Sequence, residues 1–198
     1  MTVNAGICPI ETLYRGHRFR SRLEAKWAAF FDAAGWRWQY EPLDLDGWIP
    51  DFVIFGGAMP FFVDVKSILE RDPEIEAKID RALGRARTHA LTENADEHAD
   101  PTARSALMLA ACPLEENGLF SSEWFLGWIS TKSTFWDWDQ ALFVGPPRGI
   151  SFDEQTWDDV LADRSFGGGE NHCPVDPSPY WAEATNAVQR KPRLGADK

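Results

Sequence analysis

Trp48-Ile49-Pro50-Asp51-Phe52-Val53-Ile54-Phe55 and Phe61-Phe62-Val63-Asp64-Val65-Lys66 are two apolar runs that carry two acids and a lysine. Charged groups are costly to bury unless something pairs with them, so Asp51, Asp64 and Lys66 need a reason to be there. Both runs have the length and the bulky, β-branched content of strands. Side chains alternate along a strand, so Asp64 and Lys66 project from one face while Val63 and Val65 point to the other. A neighbouring strand holding Asp51 brings that acid to the same spot. Gly56-Gly57 starts the turn between the two runs, and Asp46-Gly47 marks a turn back to a short strand at Trp36 to Tyr40. Three strands in antiparallel meander are expected.

Working outward, Leu23, Trp27, Phe30, Phe31 and Ala34 recur at helical spacing, and Gly35 ends that helix. Ser21 with Glu24 three residues later reads as a capping box. Asp72-Pro73 opens a second helix, with Ile75, Ile79, Leu83 and Ala86 as its stripe, running to about Ala90. Residues 92–104 read as an exposed loop, and Ala106 to Ala111 as a buried strand. Trp124 to Ser130 and Ala141 to Val144 are further strands, residues 166–170 are a glycine-rich flexible stretch, and Tyr180 to Gln189 is a last helix. The expected organisation is one α/β domain with a central mixed β-sheet flanked by helices. Residues 1–20 form a basic arm, 21–150 the core, and 151–198 an extension, with a helix and the basic tail Arg190, Lys191 and Arg193, packed on the same domain.

Hydrophobic residues make up 44% of the chain and aromatic residues 13%, which argues for a folded globule. No apolar run approaches the roughly 20 residues that span a bilayer, and no secretion signal leads the chain. Cys8, Cys112 and Cys173 are odd in number and widely spaced, the pattern of a reducing, cytoplasmic protein. The net charge of −11 counts against tight non-specific duplex binding. The first forty residues run the other way, with Arg15, Arg18, Arg20, Arg22, Lys26 and Arg37 outnumbering Glu11, Glu24 and Asp32.

Carboxylate oxygens suit hard divalent cations, so Asp51 and Asp64 are candidate ligands for Mg²⁺. A cation there would polarise a phosphoryl oxygen and lower the pKa of a bound water, and Lys66 would orient that water and stabilise the developing charge. Arg15, Arg18, Arg20 and Arg22 are candidate phosphate contacts, as are Lys78, Arg81 and Arg85 on one face of the second helix. Each has a plainer reading: arginine-rich arms often pair with acidic surface, and Lys78, Arg81 and Arg85 suit a solvated face beside Glu74 and Asp80. Glu24 is equally explained as a helix cap. Trp124, Trp128, Trp136 and Trp138 could stack bases, but strand and core packing account for them better.

Glu24, then Pro50-Asp51, then Asp64-Val65-Lys66, in that order over residues 14–111, resembles the PD-(D/E)XK nuclease superfamily, the restriction-endonuclease-like fold. Phe19-Arg20-Ser21-Arg22-Leu23-Glu24 and Tyr40-Glu41-Pro42 also look like its small phage-type or TnsA-like endonuclease members. The resemblance implies a Mg²⁺- or Mn²⁺-dependent endo- or exonuclease acting on DNA. Asp51, Asp64 and the Val65 carbonyl would be metal ligands, Lys66 the catalytic lysine, and Glu24 the helix-borne acid. Two alternatives keep the fold: an inactive nucleic-acid-binding or assembly subunit, and a nuclease whose protein partner supplies DNA affinity.

Overall fold

The computed structural model describes residues 9–45, 47–55, 61–93, 105–117, 122–130, 138–145, 149–152, 155–156 and 175–189. The two glycine turns at Asp46 and Gly56-Gly57, the stretch 166–170, the basic tail, Trp136, Cys8 and Cys173 fall wholly or partly outside these residues. The chain is an α/β protein. Its elements are β1 (Thr12–Tyr14), β2 (His17–Phe19), α1 (Arg22–Ala33), β3 (Arg37–Tyr40), β4 (Phe52–Phe55), β5 (Phe61–Val65), α2 (Pro73–Glu93), β6 (Ser105–Asn117), β7 (Ser122–Ser130), β8 (Trp138–Gly145), β9 (Gly149–Phe152), β10 (Gln155–Thr156) and α3 (Ser178–Gln189).

One eight-stranded sheet runs in the order β10-β9-β8-β7-β6-β5-β4-β3. Strands β3, β4 and β5 are the antiparallel meander read from the turn signals, and β5 pairs β6 in parallel, joined by the α2 crossover. The sheet is therefore mixed. Odd-numbered positions of β5 and β6 (Phe61, Val63, Val65, Leu107, Leu109) share a core with α1 and Ala184 of α3. The alternate positions (Phe62, Ala106, Met108, Ala110) pack with Ile79, Ala82 and Leu83 of α2. Helices thus cover both faces, which is why β5 reads as a continuous apolar run with every residue buried.

Within the expected arm, residues 12–19 fold as the two-stranded hairpin β1–β2, closed by Arg15-Gly16. Both turn residues have positive φ (47° and 83°), the geometry of a type I′ turn, which suits the twist of the flanking strands. The hairpin docks on α1 through Asp32, which accepts from the Tyr14 hydroxyl (2.9 Å) and Trp38 Nε1 (3.1 Å) and pairs with Arg15 (3.3 Å). Phe19, the last residue of β2, is fully buried, its ring 4.6 Å from Tyr40 and 6.0 Å from Phe52.

β6 is longer than its apolar stretch suggests. Cys112-Pro113 lies inside it, where its register with β7 shifts between Leu109 and Leu114. A proline cannot donate to a ladder, so the irregularity absorbs it. Asp72 caps α2 as expected, accepting from the Glu74 N–H at 3.0 Å. Glu76, buried one turn in, is neutralised by Arg71 through two bonds of 2.8 and 3.0 Å. Trp128 and Trp138 are buried in the core, as packing rather than base stacking would have them.

Candidate active site

Burying Phe19 against Tyr40 and Phe52 delivers the next residue, Arg20, to the start of β4. Arg20 Nη2 donates to Asp51 Oδ1 at 2.5 Å, and its Nε lies 2.8 Å from Glu41 Oε1 and 4.0 Å from Glu24 Oε2. Ser21 then caps α1, its Oγ accepting from the Glu24 N–H at 3.1 Å and donating to Glu24 Oε1 at 2.8 Å. The other Glu24 oxygen accepts from the Tyr40 hydroxyl at 2.6 Å, which in turn accepts from the Arg20 N–H at 3.1 Å. Both oxygens of this buried acid are engaged. Glu24 is a cap, and it also braces the segment that carries Arg20.

Asp51 immediately precedes β4 rather than lying within it. Its carbonyl accepts from the Glu41 N–H at 2.9 Å, and its Oδ2 from the Val65 N–H at 2.7 Å. Phe52 faces Val63 across the β4–β5 ladder. One further step of that register sets Asp51 opposite Asp64, and directly opposed residues share a sheet face. Asp64 Oδ1 accepts from Lys66 Nζ at 2.8 Å, so the acid and the lysine do share a face. Asp51 and Asp64 are 4% and 5% exposed. Lys66 is half-buried, and its N–H is tied to the Leu109 carbonyl at 2.9 Å.

Burial, and next the charge of Asp64, push the Asp51 carboxyl up to about 7, with Glu24 adding to the rise. The Val65 N–H and Lys66 pull the other way. Burial works against the Arg20 charge, but Tyr40, Asp51, Glu41 and Glu24 outweigh it and raise the Arg20 pKa. Burial and the hydrogen bond to Glu24 push Tyr40 up to about 12. Two carboxylates that repel each other out of water favour a cation between them.

Compared with known proteins, the chain matches no family model, no curated protein and no solved structure.

Among the described residues, no group of three or more His, Cys, Asp or Glu is placed to hold a metal ion. Two carboxylates with water and substrate oxygens do suit Mg²⁺ or Mn²⁺. In a strand, one residue's N–H and C=O leave on the same edge. The Val65 carbonyl therefore points toward the β4 side, where its N–H meets Asp51. The donor set fits a hard cation.

The basic residues are distributed unevenly about this site. Arg15 is engaged by Asp32, Arg18 by Glu11 at 3.1 Å, and Arg20 by the site acids themselves, while Arg22 opens α1 as an exposed residue. Lys78 and Arg81 are exposed on α2, and Arg85 lies farther along that helix. The core residues of α2 cover the same sheet face that Asp51 and Asp64 belong to. Asp80, expected beside those cations, accepts from Trp138 Nε1 at 3.3 Å. Glu41 and Tyr40 are site residues that the sequence reading used as a strand end and as part of the resemblance, without giving either a role in the site. Their signal was the polar pair Tyr-Glu directly before Pro42. Among the described residues, no helix is long and apolar enough to cross a membrane.

Proposed function

We propose that this protein is a divalent-metal-dependent nuclease of the restriction-endonuclease-like type that hydrolyses phosphodiester bonds in DNA. One observation carries the reading: Asp51, the residue before β4, and Asp64 of β5 are both buried one step beyond the Phe52–Val63 pair, with Lys66 on Asp64. Mg²⁺ or Mn²⁺ bound there would supply Lewis-acid polarisation of the phosphoryl oxygen and a more acidic water. Asp51 and Asp64 hold the charge that such a cation needs. Lys66, held on Asp64 at 2.8 Å, would donate to charge building on the phosphoryl oxygens. The Val65 N–H fixes the Asp51 rotamer, and Glu24 braces the Arg20 segment. The test is incubation of the purified chain with supercoiled, linear and single-stranded DNA and with RNA, in Mg²⁺ and in Mn²⁺. Cleavage that disappears in Asp64→Ala and Lys66→Ala, with the fold intact, supports the reading. Cleavage unchanged in either variant refutes it.

A second reading keeps the fold without the chemistry, as a nucleic-acid-binding or assembly subunit. It is favoured by the net charge of −11 and by the acids that engage Arg15, Arg18 and Arg20. The same charge balance suits a nuclease whose partner supplies DNA affinity. Cleavage that emerges only when a candidate partner is added would mark that case.

A further inference from the structure

We propose that Arg20 is the resident counter-ion of the carboxylate site, that it yields Asp51 to the divalent cation, and that Glu41 then holds it in place to grip the substrate phosphate. This deepens the nuclease reading and rests on it. Asp51 Oδ2 is committed to the Val65 N–H, so Oδ1 is the oxygen open to a cation, and Arg20 Nη2 occupies it. The pair is lopsided: the Asp51 side chain is 6% exposed and that of Arg20 58%. A guanidinium so exposed regains its hydration by turning toward water, and the incoming cation takes its place as partner of the buried acid. The acid has no such escape.

Glu41 explains why Arg20 would stay near. Its φ is 43°, a strained conformation for a residue with a side chain, and such strain persists where surrounding contacts enforce it. The bond from its N–H to the Asp51 carbonyl is one such contact, and its carboxylate meets Arg20 Nε at 2.8 Å. Arg20 is thus gripped at two points. Releasing Nη2 from Asp51 leaves Nε on Glu41 and frees the outer edge of the fork, which matches phosphate geometry. Cation binding and phosphate binding then favour each other, and the coupling is reciprocal. A purely structural Arg20, pinning β2 and α1 to β4, would instead support Asp51 and leave cation affinity unchanged or weaker on removal.

The experiment is calorimetric titration of the full chain with Mn²⁺, for the unmodified protein and for Arg20→Gln, Arg20→Lys and Glu41→Gln, with circular dichroism melts confirming folding. Anisotropy of a labelled DNA duplex in Mn²⁺ follows, with each variant in the Lys66→Ala background so that the duplex stays intact. Arg20→Gln is expected to bind Mn²⁺ about tenfold tighter, a change of about 1.4 kcal/mol, and to bind the duplex more weakly. Arg20→Lys keeps the exclusion of Mn²⁺ and loses duplex affinity. Glu41→Gln also loses duplex affinity, although removing a negative charge would by itself raise it. Equal or weaker Mn²⁺ binding by Arg20→Gln overturns the exchange and leaves the nuclease reading standing if the unmodified chain cleaves. Tighter Mn²⁺ binding with unchanged duplex affinity overturns the phosphate role. Binding by Arg20→Gln alone supports the exchange and contradicts nuclease action by the isolated chain. No binding by any form overturns both.

Discussion

The Val65 backbone N–H donates to Asp51 Oδ2 over 2.7 Å, tying the acid that precedes β4 to the last residue of β5. This bond sets the side-chain direction of Asp51 from the backbone of the very segment that carries Asp64 and Lys66. β5 leaves the sheet at this point, with Lys66 still anchored to β6 through the Leu109 carbonyl. Two acids and an amine therefore gather at the end of one central strand.

Asp51 should titrate far from an ordinary carboxylate. Its pKa rises from 3.8 to about 7 because it is buried and faces Asp64. The fold therefore prefers protonated Asp51. That contribution is complete below pH 3.8 and is lost as the pH climbs through about 7. Carboxyl carbon NMR should show an Asp51 midpoint near neutrality, lowered by Asp64→Asn. Protons and a divalent cation compete for the same oxygens, so cation affinity should fall as the pH drops below 7. A midpoint near 4 would contradict this.

Tyr40→Phe deletes the hydroxyl that donates to Glu24 at 2.6 Å and accepts from the Arg20 N–H. It leaves a buried carboxylate oxygen without its donor, at a cost of about 1–3 kcal/mol. Urea unfolding at pH 7 should show the loss as a lower midpoint for Tyr40→Phe, and an unchanged midpoint would contradict it.

Asp32→Ala removes the shared acceptor of Tyr14, Trp38 and Arg15. The β1–β2 hairpin should loosen from α1 while the sheet persists. Limited trypsin digestion at Arg15 and Arg18 should accelerate, with the global melting transition retained.

Gly127→Ala should be among the most damaging small substitutions in the sheet. A methyl group there would run into the Met108 carbonyl oxygen and lie 2.9 Å from Leu109 Cα, both backbone atoms that cannot step aside. A loss of about 3 kcal/mol is expected, typical of overpacking in a tight core. Denaturant midpoints for Gly127→Ala and Gly35→Ala make the comparison. At Gly35 an added carbon meets nothing within 4 Å, and only the φ of +72° opposes it.

The meander, the first two helix starts and the shared face of Asp64 and Lys66 were legible because turn residues, capping residues and strand alternation are local signals. The hairpin at residues 12–19 was not. Its turn puts Arg15 at a positive φ where asparagine or glycine is the usual marker. The length of β6 was hidden by Pro113, which normally argues against a strand interior and is tolerated here by a shift in register. The destination of Arg20 was equally hidden, because its partners Glu41 and Asp51 come together only once Phe19 packs under Tyr40 and Phe52. Side-chain charge pairing of this kind is long-range and leaves no periodic trace.

In the proposed nuclease, Asp51 and Asp64 jointly hold one divalent ion. Electron paramagnetic resonance of Mn²⁺ measures this directly, because the free-ion signal is lost on binding. The unmodified chain should deplete that signal at pH 7.5, and Asp51→Asn and Asp64→Asn should each restore it while remaining folded. A signal untouched by the unmodified chain, or equally depleted by both variants, would contradict the account.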